Sequence, residues 1–174
     1  MTLTGCLHED GLADTIDGFG GGETGERKLD IMRDSRIGTY GVCALVIAIL
    51  LRVSALALIG AAGPVTAALI AAHAAGRAVM PAIMALLPPA RRDGLSASAG
   101  QPPLGSVAAA AALGAVILFL CLGLGDGLAA LIVLAIAVLL MAWLSANQIG
   151  GQTGDVLGAV EQVSEIVVLL VALL

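Results

Sequence analysis

Residues 107–144 read VAAAAALGAVILFLCLGLGDGLAALIVLAIAVLLMAWL. This stretch carries a single charge, Asp126, with long apolar runs on both sides. Because a helix needs about 20 apolar residues to cross the hydrocarbon core of a bilayer, the stretch is long enough for two crossings. We predict helices at 107–125 and 128–144, since backbone that is exposed to lipid must satisfy its own hydrogen bonds.

Three more apolar segments lie outside this stretch, at 41–62, 65–87 and 156–174. The chain is 59% hydrophobic and 12% charged, whereas soluble domains carry about 25% charged residues, so a soluble globular protein is excluded. We therefore predict an all-α, polytopic integral membrane bundle with about five transmembrane helices in residues 41–174. Residues 1–40 are predicted to form an acidic helical segment at its cytoplasmic face, and the two parts to make a single domain.

The polar segments indicate how the bundle is oriented in the membrane. With five crossings, residues 1–40, 88–106 and 145–155 emerge on the same face. Six of the eight basic residues lie in the first two of these segments, which makes the shared face cytoplasmic by the excess of Lys and Arg. We expect membrane lipids as partners and no nucleic acid, because the net charge is −5 and a nucleic-acid binder needs a basic surface.

The N-terminal segment contains three aspartates at helical spacing. Asp10, Asp14 and Asp17 are four and three residues apart, so a helix places the three carboxylates on one face. Neighbouring like charges destabilise a helix, and a solvated helix face that tolerates this is the simpler interpretation. We favour a divalent-cation site, because no Lys or Arg lies between the aspartates and Mg²⁺ prefers carboxylate oxygens together with substrate phosphates.

A second charged block, residues 26–36, predicts another short helix. On a solvated surface its acids and bases would form ion pairs worth about 0.2–0.5 kcal/mol each. The same residues would also suit a site, with carboxylates for metal binding or proton transfer and arginines that bind phosphate oxygens in pairs. The spacing alone does not decide between these two interpretations.

Charged residues also fall inside the predicted crossings, where they are costly unless they are paired. Counted from the ends of their segments, Arg77 and Glu165 both lie about 15 Å deep. This predicts a structural pair between them, with Arg52 as the competing partner. The alternative, snorkelling of the side chains to the surface, is unattractive at that depth. At the start of the last segment, helix capping is sufficient to explain Thr153 and Asp155.

Three blocks of the sequence resemble the bacterial cobalamin synthase family, the adenosylcobinamide-GDP ribazoletransferases. They read HEDGLADTIDGFGGG at 8–22, ERKLDIMRDSRIGTYG at 26–41 and GGQTGDVLGAVEQVSE at 150–165. The resemblance implies a polytopic, Mg²⁺-dependent enzyme of the bacterial inner membrane. Such an enzyme joins α-ribazole, or its 5′-phosphate, to adenosylcobinamide-GDP with release of GMP, in the last steps of cobalamin biosynthesis. The resemblance leaves open whether the chain forms a homo-oligomer.

The resemblance also implies roles for individual residues. Asp10, Asp14 and Asp17 match the acidic signature and are expected to bind Mg²⁺, and Asp34 or Asp17 is expected to accept the proton of the ribazole hydroxyl. The expected substrate-binding residues come from the second block, from a Pro-x-Arg-like element and from the third block: Arg27, Arg33, Ser35, Arg36, Arg91, Thr153 and Asp155.

Family members generally carry hydrophobic segments ahead of the acidic signature, which here begins close to Met1. We therefore expect an N-terminally truncated form, and an inactive one is an alternative. A lipid phosphotransferase of the CDP-alcohol type is a second alternative, although its signature spaces the acids differently. A divalent-cation transporter is a third, suggested by Glu161 and Glu165 inside the last segment.

Overall fold

A computed structural model of the chain describes residues 4–174, which form helices joined by short segments, with one isolated backbone bridge between Pro89 and Gln152. The predicted all-α class is confirmed. In chain order the helices are α1 (Leu7–Gly21), α2 (Gly25–Ile31), α3 (Thr39–Ile59), α4 (Ala62–Leu86), α5 (Leu95–Ala99), α6 (Leu104–Ile149) and α7 (Gly154–Val171).

Helix α6 is a hairpin of two helical arms. Gly123 interrupts it with a φ of 78°, outside the helical range. A Cβ atom added to Gly127 would lie 3.2 Å from the Cα atom of Phe119, although eight residues of straight helix span about 12 Å. The chain therefore folds back at Gly123, and its arms, residues 104–122 and 124–149, overlap the two crossings predicted around Asp126.

Of the described helices, α3, α4 and α6 are long and apolar enough to cross a membrane. Their outer surfaces are covered with largely exposed apolar side chains, among them Leu58, Leu120 and Leu124. An apolar surface of this extent suits lipid better than water. Helix α7 is long enough but carries three acidic residues, so the count of five transmembrane helices stays a prediction.

Helix α7 lies inside the bundle, in contact with α1, α3, α4, α5 and α6. Twelve of its 18 residues are buried. Helix α1 packs closely against the first turns of α7, because both helices have glycine at the contact. A Cβ atom on Gly11 would lie 2.7 Å from the carbonyl oxygen of Asp155, and one on Gly158 would lie 3.2 Å from the Cα atom of His8. The helix that carries the aspartates is thus packed against α7.

The polar connections meet at one end of the bundle. The segment after α4 and the segment before α7 pair through two backbone hydrogen bonds, in which Gln152 donates to Pro88 and Ala90 donates to Gln152. The side chain of Lys28, in α2, donates to that of Gln148, at the end of α6. The three polar segments predicted to share a face are therefore in contact with one another.

The second short helix is shorter than predicted. It was expected over residues 26–36, whereas α2 ends at Ile31. The Asp34 carboxylate accepts hydrogen bonds from both the backbone and the side chain of Arg36. Such local bonds from Asp compete with helical hydrogen bonds, which explains why residues 32–36 form a turn.

Candidate active site

Asp10 lines two cavities that border α1 at the polar end of the bundle. Cavity A has a volume of about 530 Å³ and lies between α1, the segment after α2, and α3. Cavity B has a volume of about 550 Å³ and lies between α1, α4, α5 and the start of α7. The other charged residues in their walls are Glu9, Asp14, Arg33 and Asp34 in cavity A, and Arg77, Arg91 and Asp155 in cavity B.

Negative charge is concentrated around Asp14. Burial, followed by the charges of Asp10, Asp155 and Asp17, raises the pKa of this carboxyl from 3.8 to about 7 against the opposing charge of Arg91. A carboxylate that is repelled by three others is stabilised by a cation. Because Mg²⁺ binds through one or two carboxylates plus substrate phosphates, Asp10 and Asp14 fit such an ion.

Asp17 is held differently from the other two aspartates of α1. Its side chain is buried, and its two carboxylate oxygens accept hydrogen bonds from the backbone N–H groups of Gly38 at 2.7 Å and of Gly41 at 2.9 Å. These N–H groups lie at the start of α3, so Asp17 caps that helix. The structure therefore does not bring Asp17 into a ligand set with Asp10 and Asp14, and both predicted roles for it, as ligand and as base, are disfavoured by its geometry.

The block at residues 26–36 contributes to cavity A through its last part. Arg33, Asp34 and Ser35 line that cavity, whereas Arg27 lines neither cavity A nor cavity B. Asp34 pairs with Arg36 at 2.6 Å, and hydrogen bonds from this arginine lower the pKa of the Asp34 carboxyl to about 2. A carboxylate of such low pKa is a weak base near neutral pH.

Arg33 and Arg36 are oriented by acidic partners. Both oxygens of Asp93 accept hydrogen bonds from Arg33 Nη2, at 2.6 and 2.7 Å. Arg36, beyond its bond to Asp34, lines a small cavity of about 260 Å³ near the start of α3. Of the two arginines, Arg33 is therefore the one that a ligand in cavity A would meet.

The third block supplies the wall of cavity B. The Thr153 hydroxyl accepts the N–H of Val156 and donates to Asp155 Oδ2, each at 3.2 Å, so Thr153 caps α7 and holds Asp155. Arg91 Nη2 donates to the same Asp155 oxygen at 3.2 Å. Burial raises the pKa of the Asp155 carboxyl and the charge of Arg91 opposes this. Thr153 is thus a positioning group, while Arg91 and Asp155 face the cavity.

A network of ionisable side chains lies below this site, with its two glutamates buried and His73 and Arg77 about half exposed. Arg77 Nη1 lies 3.2 Å from Glu165 Oε1 and 2.8 Å from Glu161 Oε1, and Arg52 Nη2 lies 3.2 Å from Glu165 Oε2. The structure thus brings together the pair predicted from depth, and the competing partner joins it. Two histidines complete the network: His73 bonds to Glu165, and His8 Nδ1 lies 3.5 Å from Glu161.

Within residues 4–174, one group of three side chains has potential metal-ligand atoms that all lie within 4.8 Å of one another. The group consists of His73, Glu161 and Glu165. The two guanidinium groups of Arg52 and Arg77 already neutralise these carboxylates, so the set reads as an ion-pair network. The predicted triad of aspartates does not form a set of this kind, because the third member caps α3.

Comparison with known proteins identifies the family. The sequence profile described as cobalamin-5-phosphate synthase matches residues 1–173. The chain belongs to this family. It is 65% identical over 170 residues to the adenosylcobinamide-GDP ribazoletransferase of Bradyrhizobium diazoefficiens, covering 98% of this chain and 65% of that protein. The protein of the same name from Mesorhizobium japonicum is 57% identical over 172 residues, with 99% and 66% covered. No solved structure matches the chain.

The chain thus spans about two thirds of the length of these members of the cobalamin-5-phosphate synthase family. Two features of its site were not predicted from the sequence. One is the position of Glu161 and His73 in the charge network, for which the four-residue spacing of Glu161 with Glu165 and of His73 with Arg77 was a usable signal. The other is cavity B, which is assembled from four helices and has no local signature.

Proposed function

We propose that this chain transfers the cobinamide phosphate of adenosylcobinamide-GDP to α-ribazole, or to its 5′-phosphate, and releases GMP. The observation that carries the proposal is the pair of cavities that share Asp10 beside the charge-crowded Asp14. A transfer between two substrates needs one centre that both can reach, and Asp10 occupies such a position. The family name and the names of the relatives support the substrates.

We propose Asp10 and Asp14 as the residues that hold Mg²⁺, with the Asp155 carboxylate nearby. When bound, Mg²⁺ neutralises the charge of diphosphate oxygens and so favours departure of the leaving phosphate. Asp17 is assigned a structural function instead, since its oxygens cap α3.

The protein groups would act mainly by position and charge, as is general for phosphoryl transfer. Arg33 and Ser35 are placed to bind phosphate oxygens in cavity A, and Arg91 is placed to do so from cavity B. The ribose hydroxyl oxygen forms a bond to phosphorus, and the bond from phosphorus to the bridging oxygen breaks. GMP leaves with that oxygen, and the hydroxyl proton passes to a carboxylate or to water.

Of the two carboxylates considered as the base, Asp17 caps α3, and Asp34 lines cavity A but not cavity B, so Asp34 can receive the proton of an acceptor in cavity B only through water. Its pKa of about 2 limits its strength, so we expect a smaller contribution from Asp34 than from Asp14. The transporter alternative gains no support, since the acids of α7 are paired with arginines. We place the reaction at the cytoplasmic face of a bacterial inner membrane.

The test is GMP release by membranes that contain this chain, supplied with adenosylcobinamide-GDP and α-ribazole. We expect release with Mg²⁺ and none with a chelator. Asp14→Asn should lower the rate by about 10²-fold or more, the size expected when a group that stabilises transition-state charge is removed. The matched control is Asp126→Asn, in the exposed turn of α6, which should keep the wild-type rate. Release that needs no divalent cation, or no release at all, would overturn the proposal.

A further inference from the structure

We propose that cavity B is the binding site for the nucleoside acceptor, a largely apolar aromatic ligand, and that the diphosphate donor reaches Asp10 from cavity A. This assignment rests on the proposed function. It adds the cavity through which each of the two substrates reaches Asp10.

The first argument is the position of Asp10 between the cavities. In-line transfer places the attacking and the leaving oxygen on opposite sides of phosphorus. A centre that is open from two separate cavities is compatible with this arrangement, since each substrate can approach the phosphorus from its own side. Asp10 lines both cavities, while Asp14 lines cavity A. The donor phosphates are therefore expected in cavity A, beside both carboxylates.

The second argument is the apolar wall that α4 gives to cavity B. Met80, Pro81 and Met84 line it, with Arg77 one turn deeper on the same face of the helix. Thioether sulfurs make favourable contacts with aromatic rings and adapt to their shape. Leu95 and Leu157 add further apolar surface to the cavity. A flat aromatic base with few polar atoms fits these surroundings better than a diphosphate does.

The third argument is size. Pockets of about 300–1,000 Å³ hold one drug-sized ligand, and cavity B, at about 550 Å³, falls in that range. A nucleoside is a ligand of this size. Cavity A, at about 530 Å³, is no larger, so a corrinoid, which is several times larger than a nucleoside, stays outside both cavities. Size is therefore compatible with the acceptor in cavity B, and the choice between the two cavities rests on their linings.

The fourth argument is a free hydrogen-bond donor. Arg91 lines cavity B, and its Nη1 atom is buried without a hydrogen-bond partner among the described residues. A buried polar group without a partner costs free energy, and a ligand hydroxyl or phosphate oxygen would satisfy it. Arg91 lies at the end of the cavity near Asp155, so the sugar of the acceptor would be held at the reacting end and its base along α4.

The experiment measures steady-state KM values for α-ribazole and for adenosylcobinamide-GDP separately, by GMP release from the full chain with Mg²⁺. Met84→Trp narrows cavity B from α4, and Leu95→Trp narrows it from α5, where the side chain is largely exposed and a larger one is tolerated by the fold. The matched control is Leu86→Trp, which makes the same kind of change at an exposed position of α4 outside both cavities.

We expect each cavity variant to raise KM for α-ribazole about ten-fold or more, with KM for the donor changed by less than about two-fold. The control should resemble the wild type in both. If the wild-type chain releases no GMP, the proposed function fails and this inference with it. If the wild type is active and both cavity variants raise KM for the donor, or neither raises KM for α-ribazole, the inference alone is overturned.

Discussion

Asp14 retains its proton to higher pH in the folded chain than in the unfolded one, because burial and three neighbouring carboxylates raise its pKa from 3.8 to about 7. Between these pH values the folded state binds more protons, so the free energy of unfolding falls as pH rises. We expect the melting temperature of the chelator-treated protein in detergent to fall as the pH rises from about 4 to about 7. Above pH 7 the titration of Asp14 should lower it no further.

The Asp14→Asn variant lacks this titration, so it should become increasingly more stable than the wild type as the pH rises through the same window. Added Mg²⁺ should raise the melting temperature of the wild type at pH 8 and have a smaller effect on the variant. A difference between the two proteins that does not change with pH would contradict the pKa assignment.

The three aspartates of α1 show what spacing can and cannot predict. Asp10, Asp14 and Asp17 lie on one helix, as their spacing predicts, and Asp10 and Asp14 share cavity A. The periodicity could not show that Asp17 accepts hydrogen bonds from the N–H groups of Gly38 and Gly41, because these residues come 21 and 24 positions later in the sequence. Contacts of this kind depend on tertiary packing, which a local sequence pattern does not predict.

Helix α1 depends on a close contact with α7 that glycine permits. A Cβ atom on Gly11 would lie 2.7 Å from the Asp155 carbonyl oxygen, and backbone cannot move aside as a flexible side chain can. We expect Gly11→Ala to push α1 away from α7 and to cost about 1–3 kcal/mol of stability, as overpacking does. GMP release should fall by about ten-fold or more, since small displacements of reacting groups are costly.

The matched control for this contact is Gly105→Ala, in the first turn of α6, where an added Cβ atom meets no atom within 4 Å. This change should leave the melting temperature unchanged or slightly raised, because alanine favours a helix. Equal melting temperatures for Gly11→Ala and the wild type would show that α1 is not held by this contact.

Hydrophobicity predicted the positions of the helices along the chain more accurately than it predicted which helices are buried inside the bundle. The apolar run around Asp126 forms two arms that meet at Gly123, where glycine permits the positive φ, whereas the predicted boundary lies at residues 126–127. Helix α7 was predicted as one more crossing of the same kind, yet it is the central helix of the bundle. The acidic residues of α7 indicated its central position, since Glu161 and Glu165 require partners from several neighbouring helices.

The charge network connects four of the described helices. His8 belongs to α1, Arg52 to α3, His73 and Arg77 to α4, and both glutamates to α7. Removing one member of a buried ion pair leaves its partner uncompensated, which is more costly than never having the pair. The network therefore fixes how α1, with its aspartates, stands relative to α4 and α7.

Glu165→Gln tests this connection. The change keeps the shape of a side chain that is 5% exposed but leaves Arg52 and Arg77 with one carboxylate between them. We expect a loss of about 3 kcal/mol or less, because the arginines are partly exposed and the full cost of a broken buried pair is about 3–5 kcal/mol. The measurement is thermal unfolding in detergent, with Glu26→Gln, at an exposed position of α2, as the matched control. If Glu165→Gln melts with the control, the network does not stabilise the bundle, and the position of α1 must then depend on its glycine contact with α7 and on Asp17.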